Sequence, residues 1–401
     1  MKAIVLAGGF GTRLRELIPN LPKPMAPVAG RPFLEYVLDR LIVGGVREIT
    51  LSVGYQAKII MDHFGYAYRN ASVDYAVETE PLGTGGAIAY ALQVKGDAPV
   101  LVLNGDTFLD INYGELIGWY EQAPSKVAMV LREVPDVSRY GSVLATGELV
   151  TGFMEKGNMG LGMINAGVYI IQPEVFKKFK LAGRFSLEDE LLQRYCVALT
   201  PRAYKTGAYF IDIGIPDDYE RAQIELPKVV SRPAVFFDRD GVLNHDNGYT
   251  HRIEDFRWTD GARAAIKMLN DRGWLVFVVT NQAGVARGYY DEVAVHTLHT
   301  WMQEDLARIG AHIDDFRYCP HHPEGTVERY SIFCGCRKPA PGMIASLLNE
   351  WSIDIKSSIL IGDKSSDLKA ASVAKIAAIK YKGDDLHDIL LNYLNDDFGA
   401  S

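Results

Sequence analysis

Residues 234–244 read AVFFDRDGVLN, in which four apolar residues lead directly into two aspartates, Asp238 and Asp240. A short, continuous apolar run of this kind predicts a strand of a parallel sheet that is covered on both faces. The two carboxylates follow the strand at its carboxyl end, where sheets of this type bind ligands. There, one carboxylate can attack a phosphoryl group while the other donates a proton to the leaving oxygen.

The same pattern recurs along the chain. Short apolar runs alternate with segments of helical period, and nearly all of the runs lead into loops rich in glycine or polar side chains. The other runs are AIVLA (3–7), EITLSV (48–53), PVLVLN (99–104), LVFVVT (275–280) and SILIGD (358–363). This alternation predicts an α/β protein built of doubly wound parallel sheets.

The length of the chain, 401 residues, predicts two domains. A helical pattern ends at Pro227, and a new strand begins after Pro233. We therefore expect a first domain, a short linker, a second domain and a C-terminal tail that forms a fraying helix. Their predicted bounds are 1–226, 227–233, 234–385 and 386–401.

The composition excludes several classes of protein. The formal net charge of −8 leaves no basic footprint for nucleic acid or an anionic membrane. No apolar run approaches about 18 residues, so we expect no membrane-spanning helix. Cys319, Cys334 and Cys336 cluster while Cys196 stands alone, which in a reducing compartment favours a metal site over disulfides. We expect a cytoplasmic protein, and the sequence leaves self-association into a homo-oligomer open.

A glycine loop, GGFGTRL (8–14), follows the first predicted strand, and PKP (22–24) comes after a short gap. Glycines at such a position let the backbone approach a phosphate chain and present N–H donors to it. Arg13 and Lys23 add the positive charge that a leaving pyrophosphate requires. A plain glycine-rich turn would explain the loop alone, but not the added cations.

These motifs resemble the signature of the sugar-1-phosphate nucleotidyltransferases, and the similarity continues to about residue 225. The other matching motifs are PLGTGG (81–86), LNGD (103–106), YG (140–141), EK (155–156), NAG (165–167) and FIDIG (210–214). Phe210 replaces a more usual tryptophan, and Gly85 a more usual alanine. The resemblance implies a Rossmann-like nucleotidyltransferase fold, in which a sugar 1-phosphate attacks the α-phosphorus of a nucleoside triphosphate and expels pyrophosphate.

The same resemblance implies roles for individual residues of the first domain. Arg13 and Lys23 would stabilise the departing pyrophosphate. The implied Mg²⁺ ligands are Asp106 and Asp212. The implied nucleotide-binding residues are Gly8, Gly9, Gly11, Thr12, Glu78 and Gly83. The implied sugar-phosphate-binding residues are Gly141, Glu155, Lys156, Asn165 and Gly167.

Polar motifs also end the predicted strands of the second domain. Thr280 and Asn281 end one strand, Lys338 lies in CRKP (336–339), and Asp363 follows another strand. A threonine hydroxyl and a lysine ammonium suit a phosphate group, and Asp363 would complete a Mg²⁺ site with Asp238. Four motifs in this order make a chance occurrence of the DxD pattern implausible.

This set resembles the haloacid dehalogenase superfamily, and most closely its D-glycero-D-manno-heptose 1,7-bisphosphate phosphatase branch, which also includes histidinol phosphatases. The matching motifs are FFDRDGVLN (236–244), NGY (247–249), VTNQAGVARG (279–288), YCPHHPEG (318–325), CGCRKPAPGM (334–343) and IGDKSSD (361–367). The resemblance implies a haloacid dehalogenase-like fold in which Asp238 is the nucleophile and Asp240 is first the acid and then the base. The implied substrate-binding residues are Thr280, Asn281, Gln282, Arg337 and Lys338, and the implied Mg²⁺ ligands are Asp238, Asp240 and Asp363.

The cysteine cluster offers four ligands for a closed, tetrahedral Zn²⁺ site. Cys319 is followed by His321, and Cys334 by Cys336, with twelve residues between the two pairs. His322 is an alternative to His321 on spacing alone, and the family resemblance favours His321. We expect a structural zinc loop that holds Arg337 and Lys338 near the phosphate.

The two resemblances place two activities in series. A phosphatase would remove the C7 phosphate of a heptose 1,7-bisphosphate, and a nucleotidyltransferase would then convert heptose 1-phosphate and GTP to GDP-heptose. Either Glu78 or Glu80 would accept hydrogen bonds from guanine, unless both are ordinary surface carboxylates. The alternatives are another sugar or nucleotide, histidinol phosphate as the phosphatase substrate, or one domain as a non-catalytic regulatory module.

Overall fold

The computed structural model describes residues 1–9, 20–93, 98–155, 157 and 159–398, and their side chains as far as residue 396. The chain divides into two compact units, the first from Met1 to Val230 and the second from Ser231 onward. Each unit is an α/β structure with its own buried apolar core.

Strands and helices alternate through most of the first unit. Its described strands are β1 Lys2–Leu6, β2 Pro27–Val28, β3 Arg31–Pro32, β4 Glu48–Val53, β5 Ala67–Tyr68, β6 Ala71–Val77, β7 Val100–Asn104, β8 Thr107–Leu109, β9 Val127–Val134, β10 Ser142–Thr146, β11 Leu149–Met154, β12 Gly162–Ile171, β13 Arg202–Thr206 and β14 Phe210–Asp212. Its described α-helices are α1 Phe33–Val43, α2 Ala57–Phe64, α3 Gly83–Leu92, α4 Tyr113–Gln122, α5 Glu174–Lys178, α6 Cys196–Leu199 and α7 Pro216–Val229. A 3₁₀ turn covers Lys23–Met25 and a π-helix covers Leu187–Gln193.

The main sheet of this unit is mixed. Its order is β10-β11-β13-β9-β12-β7-β1-β4-β6-β5. The neighbours β7, β1, β4 and β6 are parallel, as predicted from their continuous apolar runs, but β12 is antiparallel to both β7 and β9. The prediction of a parallel sheet is therefore correct for β1, β4 and β7, which contain the quoted apolar runs, but it fails for β12. An apolar run does not reveal the direction in which a buried strand is inserted.

The second unit has a five-stranded parallel sheet of order β17-β16-β15-β18-β19, as the sequence predicts. Its strands are β15 Ala234–Phe237, β16 Leu275–Asn281, β17 Asp315–Cys319, β18 Ile359–Gly362 and β19 Ala377–Lys380. Its described α-helices are α8 Ala262–Asp271, α9 Ala283–Ala286, α10 Glu292–Ala307, α11 Gly342–Glu350, α12 Ser365–Val373 and α13 Leu386–Phe398.

Both faces of this second sheet are buried. Val235 and Phe237 belong to the cluster that packs against α8, α10 and α13. Phe236 points the other way and contacts Phe277, which in turn contacts Trp351. Successive side chains of a strand face opposite sides of the sheet, so an unbroken apolar run is what such a strand requires.

Two helices differ from the sequence-based expectation. Helix α7 passes through Pro227 and ends at Val229, because a proline removes only one backbone donor and the amide of Val230 still donates to the carbonyl of Leu226 at 3.0 Å. The predicted end of the helix at Pro227 is therefore wrong. Helix α13, predicted as a tail, buries Leu386 and Leu390 in the core of the second unit. None of the described helices is both long enough and apolar enough to cross a membrane.

Candidate active sites

Asp106 and Asp212 meet through a small two-stranded ribbon. Asp106 follows β7, and β8 then pairs with β14 so that Asp212 lies opposite Thr107. The backbone amide of Ile213 donates to the carbonyl of Asp106 at 3.2 Å. Two aspartates that are far apart in the sequence are thereby fixed side by side.

Lys23 lies between these two carboxylates. Its ammonium Nζ is 2.7 Å from Asp106 Oδ2 and 3.2 Å from Asp212 Oδ1. Burial lowers the pKa of Lys23, but the two negative charges outweigh that effect, so its net shift is upward. Burial raises the pKa of Asp212, with Lys23 opposing the rise and Asp106 adding to it. The site is therefore rich in carboxylate charge, which suits a cation.

A cavity of about 530 Å³ opens above this cluster. It is lined by Leu6, Gly8, Gly9, Lys23, Pro24, Glu78, Pro81, Gly83, Thr84, Ala87, Asn104, Asp106, Asp212 and Gly214. The structure thus brings together the predicted metal ligands, Lys23 and four of the predicted nucleotide-binding residues. Gly83 has a φ of +71°, and a Cβ there would lie 2.6 Å from the carbonyl oxygen of Phe185, so a side chain would be strained. Gly11, Thr12, Arg13 and Lys156 lie outside the described residues.

Glu78 is the glutamate that faces the cavity. Its carboxylate accepts hydrogen bonds from the Ser52 hydroxyl and from the Leu82 backbone amide, both at 3.1 Å. These contacts fix the carboxylate at the end of β6 and attach it to the loop that starts α3. Glu80 is exposed and is not among the described lining residues, so the position of Glu78 is the one suited to bind a base.

Asn165 and Gly167 lie on a β-bulge in β12. The register of β12 against β9 shifts between Asn165 and Tyr169, as is common beside binding sites. Gly167 has a φ of +71°, and a Cβ there would lie 2.5 Å from the side-chain nitrogen Nδ2 of the cavity residue Asn104. Two more of the predicted sugar-phosphate residues, Gly141 and Glu155, flank β10 and β11, with Gly141 half-buried and Glu155 exposed. None of these four is among the described residues that line the cavity.

In the second unit, Lys338 joins two buried carboxylates. Its Nζ is 2.8 Å from Asp238 Oδ1 and 2.7 Å from Asp367 Oδ1, and it donates to the carbonyl of Val279 at 2.7 Å. The side chain of Asn281 holds the backbone of Lys338 through two hydrogen bonds of 3.0 Å. Asn281 therefore positions this lysine.

Asp238, Asp363 and Asp367 form a group whose oxygen atoms lie within 4.8 Å of one another. Asp363 Oδ1 is buried without a hydrogen-bond partner. Burial raises the pKa of Asp363; Lys364 opposes that rise, whereas Asp238 and Asp367 add to it. Three clustered carboxylates, one with an unsatisfied oxygen, fit the oxygen ligands of a Mg²⁺ ion.

The role of Asp240 as a Mg²⁺ ligand stays a prediction. The Asp240 carboxylate is not part of the group that could hold a metal. Both of its oxygens instead accept hydrogen bonds from Arg239, and one also accepts from Gln282 at 2.8 Å. Asp240 lies two residues after Asp238, just beyond the end of β15.

A cavity of about 460 Å³ lies over these residues. It is lined by Asp238, Asp240, Asp246, Gly248, Tyr249, Thr280, Asn281, Gln282, Ala283, Arg287, Tyr290, His322, Arg337, Lys338, Lys364, Ser366 and Asp367. All of the predicted phosphatase substrate residues are on this surface. Arg337 is steadied by a hydrogen bond of 3.2 Å to the carbonyl of His321, which ties the cavity to the cysteine loop.

The four predicted zinc ligands lie together. Cys319, His321, Cys334 and Cys336 present ligand atoms within 4.8 Å of one another. The three sulfur atoms are 3.2 to 3.5 Å apart, and His321 Nδ1 is 3.4 Å from the sulfur of Cys336. His322 instead accepts a hydrogen bond from the backbone amide of Glu324 and lines the cavity of the second unit. The geometry therefore favours His321 over His322 as the fourth ligand of a candidate metal site.

Several site residues were missed by the sequence reasoning. Asp367 lies in the quoted IGDKSSD motif, four positions after Asp363, so the motif could have suggested it. Arg239 lies between the two aspartates of the DRD motif, but its burial depends also on Gln282 and His299, which are distant in sequence. Asn104 and Gly214 line the first cavity and flank the two predicted metal ligands.

Comparison with known proteins fits both sites. The Nucleotidyl transferase family model matches residues 2–228, more than half of the chain. The chain belongs to this nucleotidyltransferase family. The HAD-hydrolase-like family model matches residues 335–389, so the chain is a fusion of a nucleotidyltransferase and a haloacid dehalogenase-like region.

Individual relatives of this nucleotidyltransferase fusion cover its two parts separately. A D-glycero-α-D-manno-heptose 1-phosphate guanylyltransferase of Aneurinibacillus thermoaerophilus is 39% identical over 226 residues, 56% of this chain and 98% of the relative. A D-glycero-β-D-manno-heptose-1,7-bisphosphate 7-phosphatase of Rhodopseudomonas palustris is 48% identical over 155 residues, 39% of this chain and 86% of the relative. The crystal structure of HddC from Yersinia pseudotuberculosis complexed with GMP-PN is 37% identical, with a TM-score of 0.50, and the match covers 56% of this chain and 99% of HddC.

Proposed function

We propose that this chain is a bifunctional enzyme that makes a nucleotide-activated heptose. Its phosphatase removes the C7 phosphate of a heptose 1,7-bisphosphate, and its nucleotidyltransferase joins the remaining heptose 1-phosphate to GTP, releasing pyrophosphate. The observation that carries the proposal is that one chain matches 98% of a D-glycero-α-D-manno-heptose 1-phosphate guanylyltransferase and 77% of a D-glycero-α-D-manno-heptose-1,7-bisphosphate 7-phosphatase. Loss of the C7 phosphate from the substrate named for the second relative gives the substrate named for the first. Both cavities retain charged groups suited to phosphate chemistry.

The phosphatase reaction begins at Asp238. One oxygen of this carboxylate attacks the C7 phosphorus, and the bond between phosphorus and the C7 oxygen breaks. Asp240 gives its proton to that leaving oxygen, then takes a proton from the water that hydrolyses the aspartyl-phosphate. Lys338, Thr280 and the cavity arginine Arg337 bind the phosphate oxygens. Asp238, Asp363 and Asp367 would hold Mg²⁺, which neutralises phosphate charge when bound.

The nucleotidyltransferase reaction needs no general base, because the attacking oxygen of the sugar phosphate is already an anion. This oxygen forms a bond to the α-phosphorus of GTP, and the bond to pyrophosphate breaks. Lys23 and Arg13 stabilise the pyrophosphate, and Lys156 holds the sugar phosphate. Asp106 and Asp212 would hold Mg²⁺, which draws the two anions together when bound.

Glu78 selects guanine. Its fixed carboxylate can accept from the N1–H and from the 2-amino group of guanine, and adenine, uracil and cytosine do not present this pair of donors. The carboxylate faces the cavity and is held by two hydrogen bonds. The related HddC is described in complex with GMP-PN, a guanine nucleotide analogue, which is in keeping with this choice.

Cys319, His321, Cys334 and Cys336 hold Zn²⁺ in a structural site. Four ligands would fill a tetrahedral zinc ion and leave no open position for catalysis. Its role is to fix the loop that carries Arg337 and Lys338.

The sugar that enters is the α-anomer. Removal of the C7 phosphate leaves the anomeric carbon untouched, so the anomer of the bisphosphate is passed unchanged to the second reaction. The guanylyltransferase relative is named for the α-anomer, whereas phosphatase relatives that are each 48% identical are named for the β-anomer and for the α-anomer. In a fused enzyme, only the anomer that the guanylyltransferase accepts can be converted to the nucleotide sugar. We therefore assign the α form to both steps.

A single panel assay tests this function. The purified chain is given the α or the β heptose 1,7-bisphosphate together with each of GTP, ATP, CTP and UTP, and the nucleotide sugar is identified by mass spectrometry. We expect GDP-heptose from the α-anomer. Histidinol phosphate is supplied in a separate reaction. No phosphate release from either heptose anomer would contradict the proposed phosphatase substrate, and release from histidinol phosphate alone would support the alternative substrate.

A further inference from the structure

Arg239 is a charged residue in the catalytic motif that the proposed mechanism does not use. It lies between Asp238 and Asp240 in the sequence, yet its side chain is 0% exposed. Burying a guanidinium costs several kcal/mol unless it is paired and fully hydrogen-bonded. Its contacts therefore indicate what it is there to hold.

Those contacts converge on Asp240. Arg239 Nη2 is 2.9 Å from each Asp240 oxygen, and Nε is 3.1 Å from Oδ1. Nη2 also donates to the carbonyl of Thr250 at 2.6 Å, which fixes the guanidinium from the far side. A planar, multiply bonded pair of this kind sets the orientation of the carboxylate as well as its distance.

Gln282 restrains the same carboxylate from a second direction. Its Nε2 donates to Asp240 Oδ2 and to the Thr280 hydroxyl, both at 2.8 Å. Its Oε1 accepts from Arg239 at 3.2 Å and from the Tyr290 hydroxyl at 2.7 Å. Both donors and both acceptor positions of this amide are in use, although Gln282 was predicted to bind substrate.

His299 closes the network behind Arg239. Its Nε2 is 3.4 Å from Arg239 Nη1, and its ring stacks on Phe316 with centroids 4.4 Å apart. Burial, followed by the charge of Arg239, lowers the pKa of His299 well below its usual value. The ring is therefore neutral and can accept a hydrogen bond from the guanidinium. A neutral ring does not compete with Arg239 as a cationic partner for Asp240.

We propose that Arg239 and Gln282 are positioning residues of the phosphatase, which hold the Asp240 carboxyl in the one orientation that delivers a proton to the leaving oxygen. The inference rests on the proposed phosphatase function and on the role of Asp240 within it. Its consequence is specific: loss of the restraint slows substrates that need a protonated leaving group and spares those that do not.

The test compares two substrates and a matched pair of variants. Gln282→Leu removes the restraint, whereas Gln303→Leu makes the same change at a glutamine that bonds only to the backbone of Ile313 among the described contacts. The leaving group of heptose 1,7-bisphosphate is the C7 alkoxide, which is a poor leaving group without a proton. The leaving group of 4-nitrophenyl phosphate is a stable phenolate. We expect Gln282→Leu to lower kcat/KM about 30-fold for the sugar and less than about threefold for the aryl phosphate, because only the sugar needs the acid.

Arg239→Lys keeps the charge but loses the planar fork, so it should move the same ratio in the same direction. If Gln282→Leu melts at a lower temperature than the wild type, Tyr290→Phe replaces it in the comparison. This variant removes only the hydroxyl that fixes Gln282. Equal losses on both substrates, or a change in KM alone, would overturn the proposal. A wild-type chain that hydrolyses the aryl phosphate but not the heptose bisphosphate would refute the proposed substrate. The losses of kcat/KM in the variants would then be compared between the aryl phosphate and fructose 1,6-bisphosphate, which also has an alkoxide leaving group.

Discussion

Both sites place a lysine ammonium between two carboxylates, but the two lysines are held differently. Lys338 has a side chain only 2% exposed, and it also donates to the backbone of Val279. Lys23 is 11% exposed, and its hydrogen bonds among the described residues are to Asp106 and Asp212. The phosphatase lysine is therefore held in the core by a backbone partner as well as by carboxylates, whereas the described partners of the nucleotidyltransferase lysine are two partly exposed carboxylates.

The largest effect is expected for Lys338→Met. It leaves Asp238 and Asp367 buried without their counter-ion, which costs about 3 kcal/mol or more in free energy of unfolding. Phosphate release should fall about 1,000-fold because a fixed cation facing the phosphate is lost. Denaturant unfolding in magnesium-free buffer and a phosphate assay measure the two effects. An unchanged midpoint would show that this lysine is not part of the core.

Lys23→Met should separate activity from stability. Pyrophosphate release is expected to fall about 100-fold, since one cation on the leaving group is lost. The free energy of unfolding should fall by only about 1 kcal/mol, because Asp106 and Asp212 are 37% and 31% exposed and can be solvated. Phosphatase activity of the same sample is the internal control. A loss of stability as large as that of Lys338→Met would remove the contrast between the two sites.

Glu78→Gln should reduce kcat/KM for GTP by about 30-fold, since a hydrogen bond to a charged group contributes about 1.5–3 kcal/mol. An amide in place of the carboxylate would turn a donor toward the donors of guanine. Glu80→Gln is the same change at an exposed neighbour and should have no effect. An equal loss for GTP and ATP would mean that Glu78 holds the loop and does not select the base.

Removal of the candidate zinc should have the smallest effect. Cys334→Ser is expected to lower phosphatase activity roughly 10-fold. Changing residues that orient the groups of a site typically costs about 10- to 100-fold in activity. The nucleotidyltransferase should be unaffected. Cys196→Ser, which changes the buried cysteine of the first unit, serves as the control. Unchanged phosphatase activity in a protein shown by metal analysis to be free of zinc would refute the role of the loop.

The strands and the local motifs were predictable because each depends on a short, continuous stretch of sequence. The apolar runs marked β1, β4, β7, β15, β16 and β18 correctly, and residues at or just beyond the ends of all of these strands except β4 line the two cavities. Burial on both faces leaves a direct trace in composition.

What could not be predicted depends on pairing between distant segments. The ribbon that brings Asp212 to Asp106 joins β8 and β14, and neither strand shows which partner it will take. The bulge around Gly167 and the burial of Arg239 likewise depend on neighbours supplied by the fold. The helix through Pro227 persisted because tertiary packing of Leu226, which is fully buried, outweighed the local cost of proline.

If two separate sites act in order on one sugar, a pair of single substitutions should block the two reactions independently. Asp238→Asn and Asp106→Ala are each given α-heptose 1,7-bisphosphate and GTP, then heptose 1-phosphate and GTP, while phosphate and pyrophosphate are measured. Asp238→Asn should release nothing from the bisphosphate but normal pyrophosphate from the monophosphate. Asp106→Ala should release normal phosphate and accumulate heptose 1-phosphate. If either substitution abolished both activities in a folded protein, the account of two sites would be wrong.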